Sequence, residues 1–324
     1  MNASTLTSSL VRPQIRPPLA DPVRISSCIR HPFHRNLTCS LKTRQSLKID
    51  FSPTAKYQKA NVSDHQPRTQ EDGIPFKDVK MLAKFKSRFN YIRVLEVSRR
   101  ADHPFAGARL LLLDDPGNIH SINFNHKLLT DTYFDVFATL PPILPPGPVG
   151  ILGFGAGSSA KLLLELYPEL VVHGWEIDPS VISVGREYFD LGKIEKEHKD
   201  RIFVHIGDAF RASVKDGFAG ILVDLFSKGS VVPELQDATV WARLKCQLRE
   251  GGRIMVNVRV EVMEETLEAV RVAFGDEVHV LRLGNKKDDS SVAVTGPLPE
   301  LAAWNKALPR SLRHYVDMWA PYTT

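Results

Sequence analysis

The chain has 324 residues, 43% of them hydrophobic and 24% charged, with a formal net charge of +5. That is globular composition in an amount suited to one large domain or two small ones, and it excludes wholesale disorder. No apolar run approaches the roughly 18 residues that a membrane span needs.

The charge is unevenly placed. Arg12, Arg16, Arg24, Arg30, Arg35, Lys42, Arg44 and Lys48 stand against the single acid Asp21, so residues 1–48 carry +7 and residues 49–324 carry −2. A basic, Ser/Thr-rich, acid-poor front is the pattern of an organellar transit peptide. Pro13, Pro17, Pro18 and Pro22 would break the amphipathic helix of a mitochondrial presequence. The expectation is therefore a disordered transit peptide addressed to the chloroplast stroma, favoured over a mitochondrion. The dense Lys/Arg block of a nucleic-acid-binding arm is missing, so neither a nucleic-acid nor a membrane partner is expected. Cys28 and Cys39 lie in this segment. Cys246, in the helical stretch Trp241–Leu248, would then have no internal disulfide partner.

Residues 49–88 read as a mostly disordered linker with one helix near Lys77–Lys86. Residues 89–127 read as a small antiparallel β-unit: strands at Tyr91–Ser98, Gly107–Asp114 and Ile119–Phe124, with Asp115-Pro116-Gly117-Asn118 as a turn. A helix at Thr130–Leu140 stops at Pro141-Pro142. Strands and helices then alternate. Strands are expected at Val149–Gly153, Val171–Glu176, Arg201–Ile206, Phe218–Asp224, Arg253–Val258, Glu277–Leu283 and Ser290–Thr295. Helices are expected at Ser158–Tyr167, Pro179–Phe189, Pro233–Leu248 and Val262–Phe274. Such alternation predicts an α/β class: a Rossmann-like, seven-stranded, mostly parallel sheet with an antiparallel edge hairpin across Asn285–Asp289. It would occupy residues 128–297, and residues 298–324 would form a C-terminal helical tail packed through Trp304, Tyr315 and Trp319.

The strongest local signal is Ile151-Leu152-Gly153-Phe154-Gly155-Ala156-Gly157-Ser158-Ser159, which follows a strand and opens a helix. In such sheets ligands bind beyond the carboxyl ends of the strands. Taken alone, the loop also fits the dinucleotide pattern G-x-G-x-x-A, or a tight turn with no ligand. Glu176 ends the second strand, where an acid can accept from two ribose hydroxyls; it could equally be an exposed strand-end acid. Asp208 ends the third, where an acid can accept from an adenine amine or cap the following turn. Three consecutive strand ends with fitting chemistry separate this pattern from a dinucleotide enzyme. No Cys/His set has zinc spacing, so no metal site is expected, and no G-x-S-x-G elbow exists. His120 and His126 read as solvated strand or loop positions.

With these residues in hand the chain resembles the S-adenosylmethionine-dependent methyltransferase superfamily, and more closely its spermidine synthase, or polyamine aminopropyltransferase, branch. The likeness runs from about Tyr91 to Val258. It takes in Leu112-Leu113-Asp114-Asp115, Ile119-His120-Ser121-Ile122, Tyr133-Phe134-Asp135, the Gly loop, Trp175-Glu176-Ile177-Asp178, Gly207-Asp208-Ala209 and Leu222-Val223-Asp224. The resemblance implies that Gly153, Gly155 and Gly157 hug the methionine portion of S-adenosylmethionine. It implies that Glu176, beside Ile177, holds the ribose, and that Asp208, beside Ala209, holds the adenine. Asp224 would be the catalytic strand-end acid, also bordering the cofactor. A homodimer through the N-terminal β-unit is a further implication.

The chain departs from that branch at the amine site. The branch's loop reads GGGDGG, and Ala156 stands at its acid. Its D-S-S-D-P motif is Asp224-Leu225-Phe226-Ser227-Lys228, so the second acid is Ser227 and a cation follows. A polyamine groove needs several carboxylates, because each ammonium loses hydration on binding. Asp131, Asp135 or Glu234 would have to compensate. The reading from sequence is therefore methyl transfer from S-adenosylmethionine to a small-molecule acceptor. The alternatives are an aminopropyltransferase with an altered amine site, drawing on the decarboxylated cofactor, or a non-catalytic binding or assembly module that retains the fold.

Overall fold

A computed structural model describes residues 74–114, 118–284 and 290–323. The expected transit peptide, residues 1–48, residues 49–73 of the expected linker, Asp115-Pro116-Gly117 and the expected turn at 285–289 lie outside the described residues.

The first sheet is an antiparallel meander of four strands in order β1 (Val79–Lys86), β2 (Tyr91–Val97), β3 (Ala108–Leu112) and β4 (Ile119–Phe124). The sequence reading placed a helix near Lys77–Lys86; the structure corrects this to β1, paired along its length with β2. Met81 and Phe85 are half-exposed on this edge strand, so no strong apolar alternation marked it in the sequence. The β-unit thus starts about ten residues before the expected boundary at 89.

Next comes α1 (Tyr133–Phe137), a buried helix of five residues entered at Thr132 and left before Pro141. The larger layer follows as β5 (Val149–Leu152), α2 (Ser158–Leu166), β6 (Val172–Glu176), α3 (Pro179–Tyr188), α4 (Leu191–Glu197), β7 (Ile202–Ile206) and β8 (Phe218–Val223). A two-residue ribbon, β9 (Phe226–Ser227) and β10 (Ser230–Val231), precedes α5 (Ala238–Cys246), β11 (Leu248–Val258), α6 (Met263–Phe274), β12 (Val278–Arg282), β13 (Ser291–Thr295), α7 (Leu301–Ala307) and β14 (Ala320–Pro321).

The main sheet has eight strands in order β14-β12-β13-β11-β8-β5-β6-β7. Pairings from β11 through β7 are parallel, and those among β11, β13, β12 and β14 are antiparallel. The expected Rossmann-like sheet with its antiparallel edge hairpin is therefore present, one strand wider than expected. The addition comes from the tail, where Ala320 and Pro321 pair with Val280 and His279. Proline can sit there because the strand is an edge.

Local chemistry explains the boundaries. Asp178 caps α3 by accepting from the Ser180 N–H at 2.9 Å, with Pro179 in the first turn. The expected helix Pro233–Leu248 is split, because Asp237 caps α5 through the Thr239 N–H and leaves Pro233–Gln236 as a separate 3-10 turn. Strand β5 is buried at all four residues, as a central parallel strand must be. The tail packs into the core: Trp304 is 2% exposed and donates its indole N–H to the Thr139 carbonyl at 2.9 Å.

Candidate functional site

The chain leaves β5 for β6 and β7 on one side, then returns to place β8 on the other. Such a reversal opens a crevice beyond the strand ends. A cavity of about 590 Å³ lies there, and its walls include Gly153, Glu176, Asp208, Asp224 and Asn257 from five adjacent strand ends.

Gly153, Gly155 and Gly157 have φ of 87°, 56° and 94°. A Cβ on Gly153 would come within 2.0 Å of the Asp224 carbonyl oxygen, and one on Gly155 within 2.7 Å of Ser121 Oγ. Both therefore combine a left-handed backbone with a close approach that only glycine allows. Gly153 and Gly155 line the cavity, whereas Gly157 is not among its walls; it starts α2 and faces Leu191 and Phe154. Ala156 is buried with Ile92, Val94 and Val181, and its N–H donates to Ser121 Oγ at 2.9 Å. It does not line the cavity.

Glu176 is 7% exposed. Its carboxylate accepts from the N–H groups of Gly155 and Asp178, each at 3.0 Å. Burial pushes its pKa up to about 7, against the pull of those N–H groups. Asp208 stands at the end of β7. It lines the cavity, and it caps the turn Ala209–Arg211 by accepting from the Phe210 N–H at 2.9 Å. Ile177, 48% exposed, and Ala209 add apolar wall beside the two acids.

Asp224 is clasped from both sides. The Tyr133 hydroxyl donates to one carboxylate oxygen at 2.7 Å, and the Asn257 amide N–H donates to the other at 3.0 Å. Tyr133 comes from α1 and Asn257 from β11, so two distant segments fix one acid. The amide oxygen of Asn257 is buried and has no hydrogen-bond partner among the described residues.

Of the acids that could compensate for Ser227, only Glu234 reaches the cavity wall. Asp131 pairs with Lys127 at 2.9 Å on the surface. Asp135 is buried and accepts from Thr130 and the Asp131 N–H, which makes it a loop anchor. Lys228 is exposed at the β9–β10 tip and does not line the cavity. Among the described residues, the Lys or Arg side chain in the wall is Arg259, which sequence reasoning missed. His120 is a correction: it lines the cavity, with a side chain 15% exposed, and burial lowers its pKa. Asn257 and Arg259 were legible only as polar residues ending an apolar strand; Phe89 and Asn90, from the β1–β2 turn, carried no signal.

Among the described residues no group of three or more His, Cys, Asp or Glu side chains could hold a metal ion, and no helix is long and apolar enough to cross a membrane. Cys246 is exposed.

No family model matches the chain. Over 190 residues it is 25% identical to a probable polyamine aminopropyl transferase of Bifidobacterium longum, covering 58% of this chain and 40% of that protein. Over 118 residues it is 37% identical to a polyamine aminopropyltransferase of Vibrio vulnificus, covering 35% of this chain and 38% of that protein. The chain thus spans about two fifths of the length of the curated relatives it matches. A crystal structure of a spermidine synthase in complex with the transition-state analogue AdoDATO superposes with a TM-score of 0.53 at 15% identity, over 75% of this chain and 80% of that one. The molecule is an α/β protein with a Rossmann-like sheet and a separate antiparallel N-terminal sheet. More specifically, it has the spermidine synthase-like fold.

Proposed function

We propose that this chain is a transferase that binds an adenosyl sulfonium donor and alkylates an amine with it, in the manner of an aminopropyltransferase. The observation that carries this reading is Asp224, held by Tyr133 and Asn257 in a cavity whose other strand ends present Glu176 and Asp208. The residues fit such a donor. Glu176 offers a buried carboxylate to a pair of hydroxyls, and Ile177 with Ala209 offers an apolar wall to a planar base. Gly153 and Gly155 let the backbone come close. The names of the curated relatives and the AdoDATO bound by the spermidine synthase support the decarboxylated donor.

When bound, the sulfonium supplies an activated carbon and leaves as a neutral thioether. The chain's own task is alignment and proton removal. Asp224 accepts the proton that the attacking nitrogen loses as its bond to carbon forms. Tyr133 and Asn257 hold the acid's two oxygens in place.

A second reading, methyl transfer from intact S-adenosylmethionine, is favoured by Arg259 in the wall and by Ser227 where an acid would grip a polyamine. Calorimetric titration of the full chain with S-adenosylmethionine and its decarboxylated form separates the two. Tighter binding of the decarboxylated form is expected. Preference for the intact form would favour methyl transfer, and binding of neither would leave the non-catalytic module. Delivery to the plastid belongs to the same proposal; residues 1–48 fused to a fluorescent protein should carry it there, and a cytosolic signal would refute it. A homodimer through the N-terminal sheet, checked by sedimentation velocity, completes it.

A further inference from the structure

The strand order reads as a ruler across the cavity. Asp208 ends β7, Glu176 ends β6, the Gly loop follows β5, Asp224 follows β8, and Asn257 and Arg259 lie at the end of β11. Neighbouring strands are about 4.8 Å apart. In the proposed function the donor takes up the first three strand ends, and its reacting carbon comes to Asp224. The end of β11 then lies one strand beyond the reacting centre, on the side away from the adenosine, and belongs to the acceptor.

Two groups lie there. The buried amide oxygen of Asn257 accepts no hydrogen bond among the described residues, so a donor N–H arriving beside Asp224 would satisfy it. Arg259 follows two residues later and lines the same cavity. Its Nε and Nη2 donate to Glu261 at 3.2 Å each. The Glu261 side chain is 65% exposed, and such exposed pairs hold weakly enough to be exchanged. The guanidinium fork matches a carboxylate in two-point contact. A second ammonium on the acceptor would instead meet like charge. Besides Glu176 and Asp208 on the adenosine side, the wall offers only Asp224 and the exposed Glu234 as carboxylates among the described residues.

We infer that the acceptor is an amine that also carries a carboxylate, with its nitrogen at Asp224 and Asn257 and its carboxylate on Arg259. The inference rests on the transferase reading above. The nitrogen's lone pair forms the new N–C bond, the S–C bond breaks with its electrons on sulfur, and the nitrogen's proton goes to Asp224. The carboxylate does not react and serves recognition.

The test uses the full chain saturated with whichever donor form it binds. ω-Amino acids of three to six carbons are titrated calorimetrically against diamines of the same lengths. At least one amino acid should bind tenfold or more tightly than its diamine, and Arg259→Gln should erase that preference while leaving donor affinity within twofold. A preference for diamines, no binding of either series, or an unchanged ratio in Arg259→Gln overturns the inference. So does a variant whose main loss is affinity for intact S-adenosylmethionine, since Arg259 would then belong to the donor. Donor titration without acceptor is the separate control: binding of neither donor form marks failure of the transferase reading instead.

Discussion

Asp224 and Glu176 are both strand-end carboxylates, yet the fold treats them differently. Asp224 receives two side-chain donors and borders open cavity, whereas Glu176 receives two backbone donors and is nearly sealed. Replacing Asp224 with Asn keeps the shape and removes the proton acceptor. Turnover should fall by roughly 10²–10⁴ while donor affinity holds, measured by single-turnover mass spectrometry. A variant with unchanged turnover would remove Asp224 from the chemistry. For Glu176 the raised value sets a pH signature. Its folded value, about 7, lies above the ordinary 4.5, so the protonated form's contribution to stability is present below 4.5 and lost as pH rises through 7. Two ribose hydroxyls donating to the carboxylate would pull the value down again. Donor binding should then release protons between about pH 4.5 and 7, with affinity rising across that window and levelling above it. Calorimetry in buffers of different ionisation enthalpy reads this directly. Proton uptake, or a flat profile, would contradict the ribose role.

At the scale of elements, the Gly loop is supported from behind. A Cβ on Gly174, in β6, would come within 1.9 Å of the Phe154 ring, which lies between Gly153 and Gly155 in sequence. Gly174→Ala should therefore displace Phe154 and disturb the loop without touching any ligand. A tenfold or greater loss of donor affinity is expected, together with about 1–3 kcal/mol of destabilisation read by urea unfolding. What the sequence revealed and what it hid follow the same logic. The βα repeats from Val149 to Val258 were legible because the central strands are buried runs bounded by glycine, proline and capping acids, and the edge strand β7 still carries β-forming residues. Strand β1 was hidden, since its burial alternation is weak and Lys77, Lys80, Lys84 and Lys86 resemble a helix surface. The site's first three strand ends could be read from Gly153, Glu176 and Asp208, each next to a recognisable turn. Asn257 and Arg259 could not, because their meaning depends on β11 lying beside β8, a neighbour relation set by topology rather than by adjacency in the chain.

For the whole molecule, the tail from residue 298 is part of the structure rather than an appendage. Trp304 and Trp319 stack with centroids 6.2 Å apart, and β14 extends the main sheet. Trp304→Ala should cost about 3–5 kcal/mol and lower the thermal midpoint by several degrees. A change near zero would show that the tail is dispensable. Charge is partitioned on the same scale: the excess of basic residues sits in residues 1–48, and the rest of the chain is weakly acidic. An exposed basic nucleic-acid surface is therefore not what the net charge describes.

The turn between β1 and β2 ties the two sheets together through one residue. The Ser87 hydroxyl and the Asn90 amide both donate to the Asp178 carboxylate, and the Asp178 N–H in turn donates to Glu176. A tug on Glu176 is therefore transmitted to the tip of a hairpin in the other sheet. The hairpin becomes a built-in gauge of occupancy. Amide hydrogens around Asn90 and Tyr91 should exchange with solvent more slowly when the adenosine end is filled, although Tyr91 does not line the cavity. Cutting the tie with Ser87→Ala and Asn90→Ala together should uncouple that slowing from occupancy. The hairpin tip would then lose its link to Glu176, while Ser121 and Ala156 still join the two sheets near the Gly loop.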